Sequence, residues 1–329
     1  MTHSRKIPGI DTEVTSIGLG TWLMNGFHWG DAEDAALEQA VEESLDTGLS
    51  LIDTAPVYGF GRSEELIGRV IKRLGKRNQI LLATKFGLAW DENKITIRRN
   101  STKKNLMREL DKSRRRLQTD VIDLYQVHWP DLNTEMGETM DALLSFYDAG
   151  IIRAIGVSNF NIEQVQKAMR YAPIHACQLP LNLFEQGSAV ELIPFCKENN
   201  IAVLAYSPLC RGLLSGKYTE GAVFLPGDIR AEDPKFKGAA MRPYLKAVSG
   251  LKEFALFKKC TAAQLALSWV IHTPGVCTAL AGARSRQQMS SNAAASQVVL
   301  SPDDWKTVGG IVKTCVPQCA TAQPLDPPF

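Results

Sequence analysis

The sequence predicts an α/β fold, a closed (β/α)8 barrel of the TIM type, on three observations. Short runs rich in Val, Ile and Leu alternate with longer amphipathic segments along nearly all of the 329-residue chain. Most of these eight runs are apolar throughout, as in parallel strands that are covered on both faces. The first run ends in Leu19-Gly20-Thr21-Trp22, without the glycine-rich turn of a doubly wound nucleotide-binding sheet. Together these features favour a closed barrel over an open sheet.

The eight predicted strands are of unequal strength, and the sixth is the weakest. A small hairpin around Pro8-Gly9, over residues 5–15, is expected before the first strand. Barrels of this class reach the length of the present chain as one unit, so residues 1–329 are expected to form a single domain. The predicted strands cover residues 16–20, 49–52, 80–84, 121–127, 152–157, 175–179, 202–205 and 276–281.

The segments between the strands carry helical spacing and recognisable helix ends. One apolar stripe begins near Ser63 and ends at Gly75, and a second ends at Gly150. Asn161 and Thr261 are placed to cap the next two helices at their N-termini. Each of these signals predicts a helix that packs one apolar face onto the barrel.

Residues 207–243 form a long stretch rich in Gly, Pro and Lys with little periodicity. Long loops without their own secondary structure are uncommon unless they act as lids or binding loops. This one carries Arg211, Lys217 and Arg230 among small residues, which suits a segment that folds over a phosphate-bearing ligand. We therefore expect long loops at the face of the barrel where the strands end.

Composition and charge restrict the classes of partner. The formal net charge of +2 gives no reason to expect nucleic acid or an anionic membrane, and no apolar run approaches the length of a membrane span. The N-terminus lacks the apolar core of a signal peptide. Seven cysteines, an odd number, fit reduced thiols in a cytoplasmic protein, and Cys315 and Cys319 are expected to be tail residues rather than a metal pair. We expect a cytoplasmic monomer or weak homo-oligomer without a metal.

Polar residues follow the predicted strands, where a barrel of this kind carries its chemistry. Any single one of them is unremarkable, because every strand ends in something polar; the prediction rests on their convergence at one rim. They are Asp53, Lys85, His128, Ser158, Asn159, Gln178, Tyr206 and Ser207, and Gly282 and Arg284 follow the last strand.

Four of these positions, with Tyr58, suggest proton transfer to a carbonyl oxygen. A tyrosine has an ordinary pKa near ~10, and an ammonium group such as that of Lys85 close to the phenol is expected to lower it. Asp53 would hold the lysine charged and oriented, and His128 would direct a carbonyl oxygen towards the phenol. This set suits protonation of an alkoxide during carbonyl reduction. The hydride must come from a nicotinamide cofactor, since no side chain supplies it.

An ordered series of motifs runs from about Gly18 to Asn292. The motifs are Leu19-Gly-Thr-Trp22, Asp53-Thr-Ala-Pro-Val-Tyr58-Gly, Ser63-Glu-Glu-Leu-Ile-Gly68, Ala83-Thr-Lys85, Asp123-Leu-Tyr-Gln-Val-His128, Gly156-Val-Ser-Asn159, Gln178, Tyr206-Ser-Pro-Leu209 and Gly282-Ala-Arg284. In these motifs the sequence resembles the aldo-keto reductase superfamily. The likeness is greatest to bacterial members that reduce small aldehydes such as glyceraldehyde and methylglyoxal.

The resemblance implies a catalytic tetrad of Asp53, Tyr58, Lys85 and His128, with Tyr58 as the general acid. It also implies NADPH or NADP+ as cofactor. The implied cofactor-binding residues are Thr21, Trp22 and Asp53; Ser158, Asn159 and Gln178 for the carboxamide and Tyr206 for the ring; Ser207, Leu209, Arg211 and Lys217 for the pyrophosphate and its covering loop; and Gly282, Arg284, Gln288 and Asn292 for the adenosine end.

Trp22, Trp90 and Trp129, beside Tyr58 and His128, are candidate walls of the substrate pocket, and packing at the barrel rim explains these tryptophans equally well. Near the adenosine end the sequence departs from the family, with Ala281 where Pro is frequent and a basic stretch before Gln288. Arg284, together with Arg286, is interpreted as the ligand of a 2′-phosphate, with a solvated helix start as the alternative.

Two other functions stay open at this stage. One is a barrel lyase or aldolase that uses Lys85 as a Schiff base, since Asp53 and Tyr58 would also serve its proton transfers. The other is a non-catalytic, cofactor-binding regulatory subunit. The reading that the sequence favours is NADPH-dependent reduction of small aldehydes or ketones to alcohols.

Overall fold

In the computed structural model, which describes residues 5–25, 29, 32–91, 93 and 96–321, eight parallel strands close into a barrel. Each strand pairs with the next along the chain, and the last pairs with the first, so that Gly282 lies opposite Gly20. The predicted (β/α)8 barrel is confirmed. The barrel strands are β1 Ile17–Gly20, β2 Leu51–Asp53, β3 Leu81–Phe86, β4 Leu124–Val127, β5 Ile155–Ser158, β6 Ala176–Pro180, β7 Ala202–Tyr206 and β8 Val276–Gly282.

Helices separate the strands and cover the outside of the barrel, where the amphipathic stripes of the sequence require burial. In the described ranges they are α1 Asp34–Asp46, α2 Arg62–Leu74, α3 Lys103–Leu117, α4 Met136–Asp148, α5 Ile162–Met169, α6 Gly187–Val190, α7 Leu192–Glu198, α8 Ile229–Glu232, α9 Arg242–Phe257, α10 Ala262–Ile271, α11 Arg286–Ala294 and α12 Pro302–Cys315.

The helix ends follow the local signals of the sequence. Helix α2 ends at Gly75, which has the left-handed conformation (φ 64°) that glycine adopts without strain. Asn161 and Thr261 cap α5 and α10, and each forms a reciprocal capping box with a glutamine three residues later. These three predicted ends are confirmed.

Several strands differ from the predicted ranges by one to three residues. The structure starts β4 and β5 later, because Ile122 and Ile152 pair only as an isolated bridge. Other strands extend further at their carboxyl ends: Asp53, Ser158 and Tyr206 still belong to the strands. The polar residues at the rim are therefore held by the barrel's own hydrogen bonds rather than by the loops that follow.

The predicted N-terminal hairpin is present and closes the amino end of the barrel. Its strands Arg5–Lys6 and Glu13–Val14 pair in antiparallel fashion, and Ile7 and Ile10 join the buried cluster at the base of the barrel. The Arg5 guanidinium donates to main-chain carbonyl oxygens in and beside the last strand. The hairpin therefore leaves the opposite face, where the strands end, as the open face of the barrel.

The stretch 207–243 is more ordered than its composition predicts. It contains the short helix α8 and three 3-10 turns, and α9 begins within it at Arg242. Local hydrogen bonds stabilise two of these elements: the side chain of Asp228 accepts from the main-chain N–H of Arg230, and that of Asp233 accepts from the N–H of Lys235. The 3-10 turns are Leu213–Ser215, Pro234–Phe236 and Gly238–Met241.

Three further observations bear on the expectations drawn from composition. All seven cysteines are free thiols. In the described ranges, no cluster of three or more His, Cys, Asp or Glu side chains is arranged to hold a metal ion. No single helix among the residues that the structure describes is long and apolar enough to span a membrane; the bent pair Gly238–Phe257 and Ala262–Ile271 meets that test only when its two helices are taken together, by length and composition.

Candidate active site

A cavity of about 550 Å³ opens at the carboxyl ends of the strands. It extends from Tyr58 and His128 at one end to Arg284 and Gln288 at the other, so one continuous space joins two regions far apart in the sequence. All predicted cofactor residues line it: Thr21, Trp22, Asp53, Ser158, Asn159, Gln178, Tyr206, Ser207, Leu209, Arg211, Lys217, Gly282, Arg284, Gln288 and Asn292.

A buried ion pair lies at the floor of this cavity. Lys85 Nζ donates to Asp53 Oδ2 at 2.5 Å and to the main-chain oxygen of Thr54 at 3.0 Å. Its third contact is the phenol oxygen of Tyr58 at 3.4 Å. Lys85 is fully buried and does not line the cavity, whereas Tyr58 does. The lysine therefore acts on the cavity through the tyrosine.

The pKa of Tyr58 differs in direction from the expectation drawn from the sequence. Burial, and then the negative charge of Asp53, raise this pKa well above 10.0. The expected lowering by Lys85 does not prevail, because Asp53 already neutralises the ammonium at 2.5 Å while the phenol lies 3.4 Å from it. The phenol thus stays protonated at neutral pH.

His128 forms the other side of this end of the cavity. Its ring lies edge-on to that of Tyr58, with 5.8 Å between ring centroids. Burial, and then the positive charge of Lys85, hold the pKa of His128 well below 6.5. A neutral imidazole hydrogen-bonds a carbonyl oxygen without adding charge to the pocket.

Two glutamines hold the second oxygen of Asp53. Asp53 Oδ1 accepts from Gln178 Nε2 at 2.8 Å and from Gln126 Nε2 at 3.1 Å. Gln178 is a predicted cofactor-binding residue, whereas sequence reasoning missed Gln126, which lies within the motif Asp123-Leu-Tyr-Gln-Val-His128. Its sequence signal is a fully buried amide inside an otherwise apolar strand, two residues before His128 and on the same face.

Ser158 is the last residue of β5 and Asn159 follows it, and the two lie beside Tyr206 at the cavity. Asn159 Nδ2 donates to the main-chain oxygen of His128 at 2.9 Å and to Ser158 Oγ at 3.1 Å. Asn159 Oδ1 accepts from the hydroxyl of Tyr206 at 2.8 Å. Asn159 also has a positive φ of 62°, a conformation that asparagine tolerates better than most residues. The group is therefore fixed before any ligand binds.

Thr21 lines the cavity but uses its hydroxyl within the protein. It donates to the main-chain oxygen of Asp53 at 3.0 Å and accepts from Ser63 Oγ at 2.8 Å, which in turn lies 2.9 Å from Thr54 Oγ1. This chain of hydroxyls fixes the segment between Asp53 and Tyr58. Thr21 thus supports the wall of the site.

The loop after β7 brings three predicted cations to the cavity. Arg211 has a positive φ of 54° and forms a buried ion pair of 2.7 Å with Asp233, and Lys217 lies over the ring of Tyr218. Arg230 is packed against the rings of Trp29 and Phe224 at 5.2 and 4.8 Å. Sequence reasoning missed Trp29, an aromatic residue in a loop between β1 and α1 without a distinguishing motif.

At the far end of the cavity, the main chain at Arg284 is fixed by Gln288, whose Oε1 accepts from the Arg284 N–H at 2.9 Å. The Arg284 guanidinium donates to the main-chain oxygen of Trp29 at 2.9 Å. Asn292 Nδ2 donates to the main-chain oxygen of Gly282 at 3.1 Å.

The structure does not bring Arg286 to this site. Arg286 turns towards three carboxylates of α1 and pairs with Glu43 at 2.7 Å and with Glu42 at 3.3 Å. Asp46 lies 3.7 Å away. The interpretation of Arg286 as a second phosphate ligand is therefore corrected, because the acidic face of α1 competes for its charge.

The three candidate tryptophans differ in their position relative to the cavity. Trp22 and Trp129 line the cavity. Trp90 is not among its lining residues and packs against Phe60, with ring centroids 5.5 Å apart. All three belong to or border the small apolar cluster around Tyr58. Trp90 thus supports the pocket wall from behind, and Trp22 and Trp129 face the cavity.

The closed barrel and the cavity at the carboxyl ends of its strands define the class of protein, an α/β barrel whose candidate site lies at the face where barrels of this fold carry their chemistry. The family model described as "Aldo/keto reductase family" matches residues 16–313. The chain belongs to the aldo/keto reductase family, whose members are NAD(P)-dependent oxidoreductases, and the resemblance drawn from its motifs is confirmed.

Relatives and solved structures agree with this assignment. The chain is 42% identical over 318 residues to "Aldo-keto reductase YhdN" of Bacillus subtilis, covering 96% of this chain and 94% of the relative. It is 32% identical over 315 residues to the "NADH-specific methylglyoxal reductase" of Escherichia coli, with 91% and 96% covered.

Among solved structures, the glycerol dehydrogenase AKR11B4 from Gluconobacter oxydans matches with a TM-score of 0.89 and 39% identity, covering 99% and 98% of the two chains. An aldo-keto reductase from Klebsiella pneumoniae in complex with NADPH matches with a TM-score of 0.76 and 29% identity, covering 99% and 100%.

Proposed function

We propose that this protein reduces small aldehydes or ketones to alcohols with NADPH, Tyr58 donating the proton. The observation that carries the proposal is the placement of a buried, protonated phenol beside the neutral His128, at one end of a cavity that reaches Arg284. Bound there, the cofactor would supply the hydride that no side chain provides. The name of one relative, a methylglyoxal reductase, and the catalytic set together support a small carbonyl substrate.

The side chains that line the cavity fit a bound dinucleotide, because their chemistry changes from one end of the cavity to the other. Cavity-lining amides and hydroxyls lie near the phenol, and cationic side chains lie along the loop and at the far end. This order matches a ligand that is neutral at its reacting end and carries phosphates further along. Ser158, Asn159 and Gln178 would hold the carboxamide and Tyr206 the ring; Ser207, Leu209, Arg211 and Lys217 would lie along the pyrophosphate; Gly282, Arg284, Gln288 and Asn292 would surround the adenosine.

The chain's own residues divide the work of proton transfer. Tyr58 holds the proton on its phenol oxygen and gives it to the substrate oxygen. His128 orients that oxygen by a hydrogen bond. Lys85, held by Asp53, balances the negative charge that the phenol leaves behind when its proton is transferred. Trp22 and Trp129 supply apolar walls that keep water from the reacting centre.

The buried position of Lys85 favours reduction over Schiff-base chemistry. All three ammonium hydrogens are engaged, and the nitrogen does not line the cavity. A carbonyl compound in the cavity meets Tyr58 first. A lyase would need the lysine nitrogen free of its proton and within reach of the substrate.

The test is consumption of NADPH by the purified protein against a panel of small aldehydes, ketones and sugars. We expect turnover with small aldehydes. Tyr58→Phe should lower that turnover by roughly two to four decades, since the proton donor is lost, while NADPH still binds. Turnover near the wild-type value in this variant would remove Tyr58 from the mechanism. Absence of any turnover in the wild-type protein would favour the regulatory subunit.

A further inference from the structure

Gln126, Gln178 and Asp53 form a buried polar chain across the inside of the barrel. Asp53 and Gln178 are 3% exposed, and Gln126 is fully buried. Both glutamines donate through Nε2 to the same carboxylate oxygen, Asp53 Oδ1. In addition, Gln178 Nε2 lies 3.4 Å from Gln126 Oε1. The three residues come from β2, β4 and β6, so the chain joins alternate strands through the centre.

The charge of Asp53 determines which way each amide faces. An ionised carboxylate only accepts hydrogen bonds, so Gln126 and Gln178 must each present an NH2 group to it. Gln126 Oε1 then becomes the acceptor for the second N–H of Gln178. With both of its hydrogens engaged inside the barrel, Gln178 keeps Oε1 for the cavity that it lines. A flipped Gln178 would set its oxygen against Asp53 and against Gln126 Oε1.

An independent feature of β5 makes this arrangement possible. Gly156 lies beside the Gln126 side chain, and a Cβ at that position would approach Gln126 Cγ to 2.8 Å. Real side chains essentially never accept such a contact, so Gln126 would have to move. Gly156 has no positive φ that would otherwise require glycine. Its lack of a side chain therefore serves to let Gln126 cross the barrel.

The structure assigns to Gln126 the role of a positioning residue, which orients Gln178 so that its Oε1 faces the cofactor's carboxamide and ties that contact to the Asp53–Lys85 ion pair. This inference rests on the proposed function, since it requires a nicotinamide in the cavity. Without fixed partners, the side-chain amide of Gln178 could adopt either of two orientations that exchange its oxygen and nitrogen. Two fixed acceptors, Asp53 Oδ1 and Gln126 Oε1, leave it one orientation.

The experiment compares binding of NADP+ with binding of its 3-acetylpyridine analogue, in which a methyl group replaces the amide NH2. Both are titrated by quenching of tryptophan fluorescence. In the wild-type protein we expect NADP+ to bind about tenfold more tightly than the analogue, the value of one buried hydrogen bond. Gln126→Met keeps the length of the side chain without its polar atoms. In this variant the affinity for NADP+ should fall about tenfold. The analogue should bind as before, because it never donated to Gln178.

Two further variants complete the design. Gly156→Ala should reproduce the loss for NADP+ alone, since it displaces Gln126 without changing its chemistry. Thr278→Val is the matched control: it removes a fully buried hydroxyl of the barrel that has no hydrogen-bond partner among the residues that the structure describes, and it should change neither affinity.

Unchanged NADP+ binding in Gln126→Met, or equal weakening of NADP+ and the analogue, would overturn the positioning role while leaving the proposed function intact. Failure of the wild-type protein to bind NADP+ at all would instead overturn the proposed function, and this inference with it.

Discussion

Replacing Lys85 by methionine tests whether the buried ion pair is the centre of the site. The change removes a fully buried ammonium and leaves the carboxylate of Asp53, also buried, with the two glutamines as its remaining side-chain donors among the described residues. Breaking a buried pair on one side costs about 3–5 kcal/mol, because the remaining charge has no counter-ion. Turnover should fall by roughly two to four decades, since the phenol of Tyr58 loses the charge that balances its conjugate base.

The assay is urea unfolding at pH 7 together with NADPH consumption. Lys76→Met is a matched control: its ammonium pairs with Asp46 at 3.1 Å, but the two side chains are 26% and 52% exposed. A surface pair of this kind contributes less than about 1 kcal/mol. The loss of unfolding free energy in Lys85→Met should exceed that of the control several-fold.

A double variant separates charge from packing. Asp53→Asn with Lys85→Met removes both charges, so it should recover most of the lost stability and none of the activity. A Lys85→Met protein that is stable and active would refute the reasoning.

Two further predictions concern the cofactor. Arg284→Ala should lower the affinity for NADPH by about one to two decades and leave the affinity for NADH nearly unchanged, since one charge-assisted contact to the additional phosphate is lost. Fluorescence titration with both cofactors measures these affinities. An equal loss for both would show that Arg284 does not recognise the phosphate. Residues 207–243 should be cut by a protease more slowly when NADPH is bound, because the cations of this loop would close on the pyrophosphate; equal cleavage with and without cofactor would argue against a lid.

The barrel and most of the rim were predictable because their signals are local. Apolar runs specify strands, and residues such as Asn161 and Gly75 specify helix ends within a few positions of themselves. A parallel barrel then brings all carboxyl strand ends to one face whatever the loops contain. Because of that geometry, Asp53 and His128 line one cavity although they lie far apart in the sequence.

The features that sequence reasoning missed depend on contacts between distant segments. The direction of the Tyr58 pKa depends on how deeply the phenol is buried, which no local pattern encodes. Arg286 was assigned by its neighbours in sequence, yet the carboxylates of α1 claim its charge. Gln126 has a role only because a glycine on the adjacent strand leaves space for it.

The direction of the pKa shifts also predicts how the two directions of the reaction respond to pH. In the proposed function, reduction needs the protonated phenol of Tyr58, whose pKa lies well above 10.0, and the neutral imidazole of His128, whose pKa lies well below 6.5. Turnover in reduction should therefore be flat between about pH 6.5 and pH 10 as far as these groups set it. Oxidation of the alcohol needs the phenolate, whose fraction below the pKa increases about tenfold per pH unit. Turnover in oxidation at saturating alcohol and NADP+ should rise with that slope from pH 7 to pH 10. A plateau in oxidation near pH 7 would show that Tyr58 ionises far more readily than its burial beside Asp53 allows.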